Sequence, residues 1–259
     1  MVGDNLKSLY AKLPSGVKLV AVSKFHPIER LMEAYDAGQR VFGENRPQEL
    51  AAKVPQMPSD VEWHFIGHLQ TNKLKFVLPY VTLVQSVDSI HLLEAIDKWG
   101  SANNKVIDIL LELHLGAEET KHGFSEEEIL TLVKEAGEGI PPETVVSDDP
   151  SQTSLGPSLL CGRGWPQVSG GTPSPAERAL HVRIRGLMGM ATNTEDEGVI
   201  EADFARIEAL FKRIRAEYPG MAETFTELSI GMSGDWPLAV RHGATMVRIG
   251  TDIFGPREY

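Results

Sequence analysis

A single cysteine, Cys161, in 259 residues excludes an intrachain disulfide and fits a reducing compartment. Long hydrophobic runs are missing too. No stretch of about 18 apolar residues occurs, so no membrane-spanning helix is expected. Met1 to Leu13 carries Asp4, Lys7 and Lys12 among its apolar positions and lacks the apolar segment of a secretory leader. Basic charge is also scarce. Against 36 Asp and Glu stand 25 Lys and Arg, a net charge of −11. That balance argues against nucleic acid or an anionic membrane as the main partner. A small anion is still open, since a few placed donors hold a phosphate on an acidic protein. With 42% hydrophobic and 24% charged residues, the expectation is a cytoplasmic chain with one sizeable core.

Apolar runs of strand length alternate with stretches of helical period. The strand candidates are Lys18–Phe25, Arg40–Asn45, Glu62–Leu69, Leu83–Asp88, Val106–Leu115, Val182–Ala191, Thr226–Ser233 and Met246–Phe254. Helices are expected over Ile28–Ala37, Thr71–Leu78, Ile90–Trp99, Ser125–Ala136, Gly198–Tyr218 and Trp236–Arg241. In the 198–218 stretch Ile200, Phe204, Ile207, Leu210, Phe211 and Ile214 recur at three- and four-residue steps, leaving Glu201, Asp203, Arg206 and Lys212 for water. Alternating strands and helices imply βαβ units, and eight strands close a barrel, so the fold predicted is an α/β (β/α)8 TIM-type barrel in a single domain. An open doubly wound sheet is the rival architecture.

Gly137 to Leu180 breaks the rhythm with a Pro-, Gly-, Ser- and Thr-rich composition that cannot offset its ordering entropy. It reads as a flexible insertion between the fifth helix and the sixth strand, on the barrel's N-terminal face.

In such a barrel, chemistry sits at the C-terminal strand ends. The first candidate strand closes in Ser23-Lys24-Phe25-His26-Pro27 after the apolar run Leu19-Val20-Ala21-Val22. Desolvation there would lower the lysine's pKa and free its amine to attack an aldehyde, although spacing alone favours an ordinary surface lysine. Gly231, Ser233 and Gly234 after the seventh strand, with Gly250 and Thr251 after the eighth, offer backbone and hydroxyl donors to an anion where this fold usually cradles phosphate. Alternation points Arg248 inward. Asn45 either meets a ligand edge or caps the helix entered at Pro47. His64 and His68 lie four apart on a strand with no third ligand near, so no metal site is expected.

The stretches KLVAVSKFHP, AGQRVFGEN, EWHFIGHLQTNK, KHGF, RGLMGMATNT, LSIGMSGDWPLAVRHGATMVRIGTDIFG and PREY occur in order and cover nearly all the chain outside 137–180. Together they resemble the YggS/PROSC-type pyridoxal phosphate homeostasis proteins. That resemblance implies a barrel similar to the N-terminal domain of alanine racemase. It also implies pyridoxal 5′-phosphate (PLP) as a Schiff base on Lys24, its phosphate on Ser233, Gly250 and Thr251, Arg248 facing the pyridine nitrogen and Asn45 near the ring. The implied role is to buffer PLP or deliver it to apo PLP-dependent enzymes, as a monomer with little or no turnover. The alternative is an amino-acid racemase or related α-carbon enzyme, though the second domain that supplies a racemase's opposite-face tyrosine is not expected after Tyr259. A class I aldolase-like barrel using Lys24 without cofactor is the third reading.

Overall fold

In the structure, a computed structural model, residues 1–116, 122–138 and 181–256 are described. The elements run α1 (Val2–Lys12), β1 (Lys18–Val22), α2 (Ile28–Asp36), β2 (Val41–Glu44), α3 (Pro47–Lys53), β3 (Glu62–Phe65) and β4 (Leu83–Val87). They continue as α4 (Ile90–Asn103), β5 (Ile107–Leu113), α5 (Glu126–Glu138), β6 (Val182–Gly189) and α6 (Glu197–Glu217). The last are β7 (Glu227–Ser229), α7 (Trp236–Arg241), β8 (Met246–Ile249) and α8 (Thr251–Phe254). All the strand pairs are parallel, and the order β1 to β8 closes on itself. Lys18–Ala21 pair with Met246–Ile249 to complete the ring. That closure excludes the open sheet.

Local chemistry sets the ends. Ser89 caps α4 by accepting from the Leu92 amide, and Asn104 ends that helix in the left-handed conformation. Asp196 caps α6 through the Gly198 amide, and Ile200, Phe204, Ile207, Leu210 and Ile214 form its buried stripe. The strands stop earlier than their apolar runs. After Val22 the chain turns through Phe25 (φ 66°), and after Ser229 through Gly231 (φ 93°). A side chain on Gly231 would press into Ala239. The Met246–Phe254 run divides at Gly250, where α8 begins. The 71–78 segment forms a 3₁₀ helix over Thr71–Phe76, α3 is the helix entered at Pro47, and α1 adds one not foreseen. α5 extends to Glu138 and so takes in the first two residues of the insertion expected over 137–180, whose remainder lies outside the described residues. Among the described residues no helix is long and apolar enough to cross a membrane.

Alternation along the strands builds two apolar layers. Leu19, Ala21, Phe42, Phe65, Ile109, Leu111, Val247 and Ile249 face the helices. Val20, Leu83, Leu110, Met188 and Met246 fill the barrel interior. Above them lies a polar layer. Gln85 Nε2 donates to His64 Nδ1 (2.8 Å), and Ser229 Oγ donates to Gln85 Oε1 (2.7 Å). Arg248 then donates to Ser229 Oγ and Ser229 O, both at 2.7 Å, and to Gly189 O at 2.8 Å. Burial pushes His64 down to about 3, so it is a neutral acceptor at Nδ1.

Candidate functional site

Lys24 is half-buried, two residues beyond β1, in a loop held from below by a charged network. Lys53 of α3 donates to Ser23 O (2.8 Å), Glu44 Oε1 (2.6 Å) and Glu49 Oε2 (3.2 Å). Ser23 Oγ donates to the same Glu44 oxygen at 2.7 Å. The Phe25 amide donates to Glu49 Oε2 at 2.9 Å, and the Arg46 guanidinium lies 4.2 Å from the Phe25 ring centroid. A left-handed phenylalanine costs roughly 1–2 kcal/mol, and it persists where surrounding contacts over-determine it. Here the Glu49 carboxylate and the Arg46 stack supply those contacts. Burial raises the Glu44 carboxyl while Lys53 pulls it back. For Glu49 burial acts in the same upward sense, but the Phe25 amide and Lys53 outweigh it and hold the carboxyl low. The Lys24 loop is therefore fixed by a buried ion pair between β2 and α3.

Strand order gathers the predicted residues. Val22 and Gly250 are neighbours across the β1–β8 ladder, so close that a Cβ on Gly250 would stand 3.2 Å from Val22 O. The Lys24 loop and the Gly250–Thr251 helix start are thus adjacent strand ends. Ser233 leaves the end of β7, whose Gly231 O accepts from the Arg248 amide at 2.9 Å. Asn45 leaves the end of β2. Lys24, Asn45, Ser233, Gly250 and Thr251 accordingly share one half of the mouth, built by four adjacent strands. Arg248 differs in kind: it is inside the barrel, 4% exposed, and burial lowers it to about 10, still a cation at neutral pH. The inward direction read from alternation holds.

Beside these strand ends a cavity of about 620 Å³ opens at the mouth. Asn45 and Gly234 line it, whereas Lys24, Ser233, Arg248, Gly250 and Thr251 do not. Asn45 does not cap α3, whose N-cap is Arg46 with no side-chain bond. Its Oδ1 is buried with no hydrogen-bond partner among the described residues. The backbone behind it is tight: a Cβ on Gly67 would collide with the Asn45 carbonyl. Glu112, facing inward from β5, is raised to about 7 by burial and by the Asp88 carboxylate, against the pull of Arg248. Burial likewise raises Asp235.

His68 does not pair with His64, which points into the polar layer. It meets Asp88 and His122 instead, at the cavity wall. Glu112, Asp88, His122 and the Lys53 network were not singled out from the sequence. Glu112 was readable in principle, as the acidic position sharing Leu110's inward parity in the strand Ile107–Leu113. The others come from segments brought together only by closure.

A closed parallel barrel with its polar residues at the C-terminal strand ends is the architecture of the alanine racemase N-terminal domain family, and this chain belongs to it by the match over residues 2–151. Alanine racemase from Bartonella henselae shares the fold, with a TM-score of 0.62 at 15% identity, over 100% of this chain and 60% of that one. Within that class the chain belongs to the pyridoxal phosphate homeostasis proteins. It is 32% identical over 246 residues to the pyridoxal phosphate homeostasis protein of Haemophilus influenzae, covering 94% of this chain and 86% of that one. The structure of PipY from Synechococcus elongatus with PLP bound aligns with a TM-score of 0.76 at 31% identity, over 98% of this chain and 100% of that one.

Proposed function

We propose that this chain binds pyridoxal 5′-phosphate and acts in PLP homeostasis, buffering the cofactor or delivering it to apo PLP-dependent enzymes, with little or no turnover of its own. PLP supplies an aldehyde carbon that a primary amine binds covalently. Lys24 provides that amine, Ser233, Gly250 and Thr251 hold the phosphate, Arg248 faces the pyridine nitrogen and Asn45 meets the ring edge. The observation that carries the reading is the Asn45 Oδ1 atom, buried and without a partner among the described residues, at the cavity wall beside the Lys24 strand end. A buried acceptor left unmade costs about 1–3 kcal/mol, so a donor is expected from a bound molecule.

The remaining residues fit the same group. Gly250, where added bulk meets Val22, lets the backbone approach an anion closely. Arg248 is held by three oxygen acceptors and keeps its charge, and a cation beside the ring nitrogen disfavours protonation there. That makes the ring a poorer electron sink than one whose nitrogen is paired with a carboxylic acid side chain. The Glu44–Lys53–Glu49 network keeps the Lys24 loop in place without touching the amine's own chemistry. The working setting is the cytoplasm, and the working form a monomer.

Borohydride reduction of the PLP-loaded protein, followed by peptide mass mapping, tests the assignment. The expected result is a pyridoxyl group on Lys24 that disappears in Lys24→Ala. An unmodified Lys24, or label scattered over surface lysines, overturns it.

A further inference from the structure

Across the barrel mouth from β8 and its neighbours, the ends of β3, β4 and β5 bring together three metal-ligating side chains far apart in sequence. His68 follows β3, Asp88 follows β4, and His122 lies between β5 and α5. His68 Nδ1 is 2.9 Å from Asp88 Oδ2, and His122 Nδ1 is 3.9 Å from the same oxygen. The two imidazoles stack with centroids 4.3 Å apart and planes 19° from parallel. One ligand atom from each of the three residues lies within 4.8 Å of the others.

These separations suit a shared cation. Zn–N and Zn–O bonds of about 2.0–2.2 Å place neighbouring donor atoms roughly 3–3.5 Å apart, and the observed spacings straddle that range. A small turn of His122, which is 63% exposed, closes the difference. A plain ion pair accounts for one histidine at Asp88. The second imidazole brings a further nitrogen toward the same oxygen, 3.9 Å away, in a geometry that one ion pair leaves unused. Asp88 is 5% exposed, and its other oxygen accepts from Ser89 Oγ at 3.1 Å, which orients the carboxylate as outer partners orient metal ligands.

We propose that His68, Asp88 and His122 bind one divalent first-row transition metal at the cavity wall. Two imidazole nitrogens and one carboxylate oxygen favour Zn²⁺ and its neighbours over Mg²⁺ or Ca²⁺, which take mostly oxygen ligands. Three protein ligands leave a position for water, or for an oxygen or nitrogen of a small molecule entering the cavity that all three residues line. The metal would stand at the wall of the same cavity that Asn45 lines, on the side away from the Lys24 strand end, and its test needs no PLP.

The experiment is calorimetric titration of chelator-treated, PLP-free protein with Zn²⁺ alone, in a Cys161→Ser background that removes the competing thiol. One metal per chain is expected, with affinity falling at least about tenfold in His68→Ala and again in His122→Ala. Both side chains are at least half exposed, so the variants should melt with the parent. Co²⁺ in place of Zn²⁺ should give visible ligand-field bands that vanish in the same variants. Absent binding, or binding unchanged in the His68→Ala/His122→Ala double variant, overturns the site.

Discussion

Replacing Glu112 with Gln should stabilise the protein at alkaline pH and hardly change it near pH 5. The folded chain keeps the Glu112 proton up to about pH 7, whereas the unfolded chain releases it near 4.5. Between those values the folded state binds more protons, so this carboxyl's contribution falls as pH rises and is fully lost above about 7. Asp88 drives the shift together with burial, and Arg248 opposes it. Carrying a carboxyl from 4.5 to about 7 corresponds to about 3 kcal/mol once it ionises, in a residue only 7% exposed. Gln keeps the shape of the protonated acid and never ionises. At pH 8 the variant should therefore be more stable by about 3 kcal/mol, a rise in melting temperature of roughly 6–12 °C for a chain of this size. Near pH 5 the gap should shrink below about 1 kcal/mol. Melting curves of chelated, PLP-free protein from pH 5 to 8.5 measure it. A gap that is the same at every pH, or a variant less stable at pH 8, refutes the reasoning.

Other perturbations reach the rest of the site. Lys53→Met strands Glu44, which is fully buried, and should cost about 3–5 kcal/mol in urea unfolding, with Lys53→Met/Glu44→Leu recovering most of it. If the double variant is as unstable as the single one, the pair is not the cause. Gly67→Ala forces a methyl against the Asn45 backbone and should cost about 1–3 kcal/mol, together with weaker PLP binding by absorbance titration. A neutral Gly67→Ala would mean the two strand ends are free to separate.

The strands were legible because alternation and run length survive in a single sequence, and so were the ends of β1, β2, β7 and β8. The runs overshot the sheet at Phe25, Ser233 and Phe254, since apolar residues continue into loops and α8 after the ladder bonds end. α1 went unread because Asp4, Lys7 and Lys12 weighed more than the stripe Val2, Leu6 and Leu9 that it buries. The Glu44–Lys53 pair was hidden by the ordinary habit of both residue types, which is to face water. His68 was matched with His64 by spacing alone. Strand parity sends His64 inward to Gln85, and His68 lies beyond the strand, where Asp88 meets it.

The seam between β1 and β8 joins the first strand of the barrel to the eighth. The Lys24 loop and the Gly250–Thr251 turn become neighbours only when that seam forms. Its contacts span more than two hundred residues of chain, which places it among the slow, late pairings of folding. A nascent or clipped chain has the lysine but not the opposite wall. Possession of the site proposed for the phosphate therefore reports that the barrel has closed.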